Sequence, residues 1–290
     1  IMLSHLNLRS NAECLLEAWG FSSDDVLLHA LPIFHVHGLF VALGCVFLSG
    51  ASMHWLQDFN VDQVVDHLPN CTVMMGVPTY YTRLLSNDRF GQTLTNNIRL
   101  FISGSAPLLS ETFDEFLDRT GQSILERYGM TETNMNTSNP YTGERRAGTV
   151  GFPLPGVELK ITDRQTGATL PQGEIGEIEV RGPNVFQGYW KNPEKTAETF
   201  TEDGWLRTGD IAMTDGDGYL YLVDRAKDLI KSGGEWISSI AIENLAAAHP
   251  GVAEAVVIAV PHPKWSERPL LIVTRKTGAG VSQQDLLALI

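Results

Sequence analysis

"LFISGSAPLLSETFDEFLDRTGQSILERYGMTETNMNTSNP", residues Leu100 to Pro140, is the stretch on which the fold turns. A short apolar run, "LFISG", ends at Gly104, and a helix-like pattern follows near 109–120. A second run, "SILERYG", ends at Gly129. Two strand-like runs joined by a helix of that length form a crossover unit, which pairs its strands in parallel. Beyond Gly129, Thr131 and Glu132 set a hydroxyl and a carboxylate side by side where the strand should stop. Ligands of such sheets bind beyond the carboxyl ends of the strands, so the question is which ligand needs both groups.

The same grammar extends upstream. "DVLLHALPIF", "ASMHWL" and "CTVMMGV" read as strands, with helices predicted near 38–49, 60–68 and 78–86. Pro78 and Pro107 follow strand ends and suit helix starts or the turns before them. Residues 1–147 are therefore expected to form an α/β layer, a mostly parallel sheet with flanking helices. From Gly148 turn residues recur every few positions, and "VELKI" and "EIEV" alternate with period two, so 148–226 should be a β-rich subdomain. A small α+β domain is expected over 227–290. It would hold a helix near 239–248, strands in "VAEAVVIAV" and "PLLIVTRK", and a helix beginning in "SQQDLLALI".

Composition narrows the function. The 290 residues carry a net charge of -13 with no basic stripe, which argues against nucleic acid and against an anionic bilayer. Three scattered cysteines without a CxxC pair suit a reducing compartment, read as cytoplasmic, and neither a zinc site nor a disulfide frame. An organellar matrix stays open, because the expectation, set out below, is of a chain lacking its N-terminal part. "GLFVALGCVFLSGA" is too short to span a bilayer and reads as a buried helix. No signal peptide is visible.

Each candidate site residue has a bland reading beside the functional one. Gly129 lets backbone approach a ligand, the Thr131 hydroxyl can bond a phosphate oxygen, and Glu132 can hold Mg²⁺; a strand cap would also use them. "FISGSAPL" can offer backbone N–H groups to an anion, or be a tight turn. Asp210 in "WLRTGDIA" can take both hydroxyls of a ribose, or close an Asx-turn. Arg225, Lys227, Asp228 and Lys231 precede the Gly233–Gly234 pair at the inferred boundary, where a charged linker explains the charges but not the diglycine. His35 and His37 lack a third metal ligand at suitable spacing and read as pocket-lining or hydrogen-bonded. Arg83 is either a surface arginine or an anion clamp in the crevice.

In this order, "YGMTE", "GYWKNPEKTAETFTEDGWLRTGDIA" and "DRAKDLIKSGGEWIS" resemble three signature segments of the adenylate-forming superfamily of acyl-CoA synthetases, luciferases and adenylation domains. The resemblance spans essentially the whole chain. It implies ATP, Mg²⁺ and coenzyme A, and a small-molecule carboxylic acid activated as its adenylate and passed to a thiol. It also implies roles. Thr131 would bind phosphate, Glu132 would hold Mg²⁺ and Tyr128 would lie against adenine. Gly104, Ser105, Ala106 and Pro107 would line the nucleotide and acyl pocket. Asp210 and Arg225 would grip the ribose, Lys227 would be a hinge, and Gly233 and Gly234 would line the pantetheine channel.

Within the superfamily, "MMGVPTYYTRLL", "LFISGSAPLLSET" and "ERYGMTETNMNTSNPYTGERRAGTVG" are most similar to malonyl-CoA synthetases. That likeness implies that Arg83 binds the distal carboxylate of a short diacid, with Ser103, Met130 and His35 shaping the pocket. "KSGGEWISS" and "VPHPKWSERPLLIV" instead look like medium- and long-chain fatty acyl-CoA synthetases, and Asp224 replaces the glycine usual before the ribose-binding arginine. The superfamily's Gly/Ser/Thr-rich phosphate loop and its adenylation lysine have no counterpart here. The expectation is thus an internal fragment, inactive alone, of a truncated adenylate-forming fold. A non-catalytic nucleotide-binding remnant is the alternative of another class.

Overall fold

The computed structural model describes residues 1–226, 228–232, 235–276 and 278–289. Strands β1 (Val26–His29), β2 (Ser52–Trp55), β3 (Val73–Gly76), β4 (Leu100–Ser103) and β5 (Leu125–Met130) pair in parallel. With β6 (Asn134–Ser138) and β7 (Phe152–Pro153) they form a seven-stranded sheet in the order β2-β1-β3-β4-β5-β6-β7. Every residue of β3 and β4 is buried. That is why "VMMG" and "LFIS" are apolar throughout and do not alternate: helices cover both faces.

The helices of this part are α1 (His5–Trp19), α2 (Leu43–Ser49), α3 (Val61–His67), α4 (Pro78–Leu85), α5 (Gln92–Thr95) and α6 (Ser110–Thr120). Pro78 opens α4, where its missing N–H costs nothing, and Asn60 caps α3 by accepting from the Gln63 amide. Tyr81 of α4 and Phe116 of α6 meet edge to face at 5.5 Å above Phe101 of β4, so an aromatic cluster fixes both helices on the sheet. At the amino ends of the strands, Arg99 donates to Asp25 through Nε (2.8 Å) and Nη2 (2.7 Å), and Thr72 donates to the same carboxylate at 2.7 Å. Three parallel strands are thereby gathered at the end opposite their ligand-bearing tips.

The expected fold class holds: an α/β layer with a parallel-rich sheet, then β-rich structure, then a small α+β part. Three details differ from the sequence reading. The helix expected near 38–49 begins as a π-helical segment, His37–Ala42, before α2. It is amphipathic and not wholly buried: Val41, Cys45 and Val46 face the core while Phe47 is 71% exposed. "NMNTS", whose composition suggests a loop, is a fully buried strand antiparallel to β5. Helix α1, absent from the sequence reading, explains how. Asn11 donates to the Met135 carbonyl (2.8 Å) and accepts from its amide (3.2 Å), and Trp19 Nε1 donates to Ser138 Oγ at 3.0 Å.

Downstream lie β8 (Glu158–Thr162), β9 (Gly176–Arg181), α7 (Pro193–Thr199), β10 (Leu206–Thr214) and β11 (Leu220–Arg225), the strands forming a sheet in the order β11-β10-β9-β8. Strands β12 (Ile230–Ser232), β13 (Glu235–Ile237), β14 (Val252–His262) and β15 (Ser266–Arg275) form a third sheet, ordered β13-β12-β15-β14, accompanied by α8 (Ser239–Ala247) and α9 (Gln283–Leu287). By contacts the chain divides into two compact units: residues 1–160, 179–208 and 214–221, and residues 161–178, 209–213 and 222–290. Among the described residues no helix is long and apolar enough to cross a membrane.

The α1–β6 clamp makes a testable demand. Asn11→Ala strips both of its bonds from the Met135 peptide, leaving the carbonyl only the longer bond from Asn184 Nδ2 (3.4 Å), and a buried group so deprived costs about 1–3 kcal/mol. We expect denaturant unfolding to report a loss of about 2–4 kcal/mol. A change below about 0.5 kcal/mol would mean that the clamp is incidental.

Candidate functional site

Strands β4 and β5 are neighbours, and both end in loops at the same edge of the sheet. The β5 loop is built on Gly129. A Cβ there would overlap the Asn134 carbonyl oxygen and lie 2.8 Å from its carbon, so glycine lets β6 fold back hard against β5. Asn134 sits at φ +54, a left-handed conformation that asparagine tolerates better than most residues. Thr131 is exposed and Glu132 half-buried at the tip of this reversal. The Tyr189 hydroxyl donates to Glu132 Oε1 at 3.0 Å, and the Phe186 amide donates to the Glu132 carbonyl at 2.8 Å. Burial and the Glu132 charge push the Tyr189 phenol up to about 12, so it remains a donor. Tyr128 is buried within β5, and Met130 is half-buried at its end.

The β4 loop carries Ser103 and Gly104 buried, then Ser105, Ala106 and Pro107 exposed. Ser105 has φ +70, a strained value for a residue with a side chain. Its hydroxyl lies 3.4 Å from His37 Nδ1. His37 is 2% exposed, and its Nε2 has no hydrogen-bond partner. Burial first, then the charge of Arg127, holds its imidazole well below the usual histidine range, so it is neutral. It opens the π-helical segment, a distortion of the kind that often re-aims side chains at functional sites. Gly38 beside it has no room for a Cβ, which would collide with the Pro32 carbonyl.

Arg127, which the sequence reading passed over, is 3% exposed within β5. A Cβ on Gly104 would meet its guanidinium, 2.5 Å from Nη1 and 2.6 Å from Nε. The signal for both residues was present: a second histidine in "HVHG", and a charge inside the run "SILERYG". His35, which the sequence reading preferred, is exposed, and its Nδ1 accepts from the His37 amide at 3.2 Å. Arg83 is exposed on α4, its guanidinium 4.9 Å above the Phe59 ring, which stacks on Tyr80 at 3.8 Å.

Asp210 and Arg225 belong to the second unit and come together there, Arg225 Nε lying 3.5 Å from Asp210 Oδ1. Asp210 is buried while most of the Arg225 side chain is exposed. Asp224 does not replace a glycine idly. Its Oδ2 accepts from the Ser239 amide (2.7 Å), the Ser239 hydroxyl (2.9 Å) and the Ser238 hydroxyl (3.3 Å), so it holds the start of α8. Lys227, Gly233 and Gly234 lie outside the described residues. Among the described residues no group of three or more His, Cys, Asp and Glu could hold a metal ion.

Glu126 braces the β4 loop from behind. It accepts from the Gly148 amide at 3.1 Å and from the Leu108 backbone. Burial, only partly opposed by those bonds, pushes its carboxyl up to about 8. The folded state therefore keeps a proton that the unfolded chain releases above its ordinary value of 4.5. Stability contributed by this group falls as pH rises from about 4.5 to about 8, by up to ~1.4 kcal/mol per unit. Comparing unfolding free energies of wild type and Glu126→Gln across that range should show a flatter slope for the variant; parallel slopes would contradict the assignment.

Residues 1–190 match the family model described as AMP-binding enzyme, and residues 241–290 match that of the AMP-binding enzyme C-terminal domain. The chain is 37% identical to the mitochondrial malonate–CoA ligase of Mus musculus over 98% of its own length and 54% of that protein's. It is 38% identical to the malonate–CoA ligase of Arabidopsis thaliana over 98% of its length and 50% of the relative's. It therefore spans about half the length of the curated relatives it matches. ATP-bound MatB from Rhodopseudomonas palustris superimposes with a TM-score of 0.96 at 50% identity, over 99% of this chain and 57% of that one. A malonyl-CoA ligase ternary product complex with methylmalonyl-CoA and AMP gives a TM-score of 0.73 at 41% identity, over 99% and 63%.

Proposed function

The chain belongs to the AMP-binding enzyme family, and from that premise we propose that it serves an AMP-forming acid–CoA ligase whose acid is malonate. The observation that carries the reading is the similarity to malonate–CoA ligases along nearly the whole chain, through both loops of the candidate site. Fatty acids are the competing substrates, and nothing in the geometry of α4 favours them: Arg83 would meet a long apolar tail with a charge.

The residues present suit the reactants. Ser103 Oγ and Thr133 Oγ1 are buried hydroxyls without a hydrogen-bond partner at neighbouring strand ends, the kind of donor that phosphate and carboxylate oxygens satisfy. Thr131 would donate to the α-phosphate, Tyr128 would lie against adenine, and Asp210 with Arg225 would hold the ribose. Gly104 to Pro107 would form the wall shared by nucleotide and acid. Glu132 would hold Mg²⁺, which takes one or two carboxylates beside substrate phosphates and supplies countercharge there.

In the first half-reaction a malonate oxygen bonds to the α-phosphorus as the bond to the bridging oxygen breaks, releasing pyrophosphate. In the second, the sulfur of coenzyme A bonds to the acyl carbon and AMP leaves. What this chain's residues would contribute is positioning of two anions that repel each other. Arg83 would accept the far carboxylate, with Met130, Ser103 and His35 bounding the short pocket. Its guanidinium already lies 4.9 Å over the Phe59 ring, a contact that suits a cation. Lys227 would serve as the hinge and Gly233 with Gly234 as the channel for the thiol-bearing arm.

Calorimetric titration of the purified chain tests the proposal without requiring turnover. We expect ATP with magnesium to bind, malonate to bind, and octanoate to bind at least ten-fold more weakly. Preference for octanoate would transfer the reading to fatty acids, and no affinity for ATP would end it. Arg83→Leu should weaken malonate by roughly thirty-fold, the loss of one charge-assisted hydrogen bond of about 2 kcal/mol, and leave ATP unchanged. Unaltered malonate affinity would remove Arg83 from the site.

A further inference from the structure

Strand β9 is buried from Gly176 to Val180, yet it carries the carboxylate of Glu177, 9% exposed. Burying a charge is costly unless it is well bonded, so each partner of this carboxylate has to be accounted for. Its Oε2 accepts from Arg164 Nε at 3.3 Å, and Arg164 is exposed, an ordinary surface partner. Its Oε1 accepts from the main-chain amide of Gly209, in β10, at 3.1 Å. An ion pair with Arg164 explains the first oxygen and says nothing of the second.

Gly209 is the unusual residue of β10. It sits at φ +75, in the left-handed region, within the strand. Nothing lies within 4 Å of where a Cβ would be, so conformation and not space calls for glycine there. A left-handed residue inside a strand kinks it, as bulges do, and re-aims the side chain that follows. That side chain is Asp210. The Gly209 carbonyl in turn accepts from the Ala226 amide at 2.8 Å, one residue after Arg225. One glycine is thus held through its amide from β9 and through its carbonyl from the end of β11. Beside those two peptides the side chains of Asp210 and Arg225 meet at 3.5 Å.

We infer that Glu177 is a positioning residue for the nucleotide: by fixing the Gly209 amide it sets the direction of Asp210, and with it the grip on the two ribose hydroxyls. The inference rests on the acid–CoA ligase reading and deepens it. An ionised acceptor makes a hydrogen bond roughly twice as strong as a neutral one, which suits a group that must hold a kinked strand in one conformation. Glu177 acts through Gly209 and need not touch the ligand.

The test uses a nucleotide that lacks both hydroxyls. ATP and 2′,3′-dideoxy-ATP, each with magnesium, are titrated calorimetrically into wild type, Glu177→Leu, Glu177→Gln and Arg164→Gln, with circular dichroism checking the fold. We expect wild type to bind ATP at least about ten-fold more tightly than the analogue. Glu177→Leu should lose roughly ten-fold of the ATP affinity and none of the analogue's. Glu177→Gln, which keeps an acceptor without its charge, should lose about two- to five-fold for ATP alone. Arg164→Gln should keep both nucleotides within about two-fold. Equal weakening of the two nucleotides by Glu177→Leu would make Glu177 structural. An unchanged preference for ATP would disconnect it from Asp210, and a matching loss in Arg164→Gln would assign the effect to the ion pair; each overturns the inference. If Glu177→Leu does not fold, Glu177→Gln decides, by whether it shows a loss confined to ATP. Wild type that binds both nucleotides alike would overturn the inference and leave the ligase reading standing, whereas wild type without affinity for ATP would overturn both.

Discussion

The candidate site depends on one missing carbon. At Gly129 the returning strand β6 comes so close that any side chain would occupy the space of the Asn134 carbonyl. With hydrogen in its place, β5 can reverse within three residues and pair with its own continuation. That reversal ends the parallel run of the sheet and leaves Thr131 and Glu132 at its tip, beside the loop that leaves β4. A wider turn would separate the two loops and leave no shared edge for a ligand. Gly104 repeats the device one strand away, where a guanidinium in place of a peptide takes up the vacated space.

The parallel layer was legible because burial on both faces writes continuous apolar runs into sequence, and "CTVMMGV" and "IRLFISG" could be little else. Helices α4 and α6 announced themselves through proline and amphipathic spacing. Strand β6 could not be read. Asn134, Asn136, Thr137 and Ser138 are residue types that normally mark loops; distant partners meet the backbone of this strand, the Asn136 Oδ1 and the Ser138 hydroxyl, while the Asn134 side chain, Asn136 Nδ2 and Thr137 Oγ1 are buried without a hydrogen-bond partner. Asn11 and Trp19 from α1, and Asn184, whose amide donates to the Thr133 carbonyl at 2.9 Å, are those partners. Such pairings are a property of the folded chain and leave no local pattern.

The site was legible in the same uneven way. Thr131 and Glu132 stand in a loop, and Asp210 and Arg225 in strand segments, whose composition is odd enough to call for a ligand. Arg127 sits inside an apolar run, where a charge reads as an ordinary strand residue until its burial is known. The histidines of "HVHG" looked equivalent, and only the π-helical start of the following helix separates them, turning His37 inward and leaving His35 outside. A chain with a net charge of -13 holds its few inward-facing cations at specific points, and their placement carries more information than their number.

Asp224 bears on how the C-terminal part can move. One carboxylate oxygen grips three donors fourteen and fifteen residues along the chain, so the end of β11 and the start of α8 are tied to each other at a single atom. Separating the two either drags the tip of β11 along with α8 or pulls all three donors off together. A glycine at this position would impose no such latch. Here one carboxylate clasps strand end and helix start, so that neither can shift without the other while it holds.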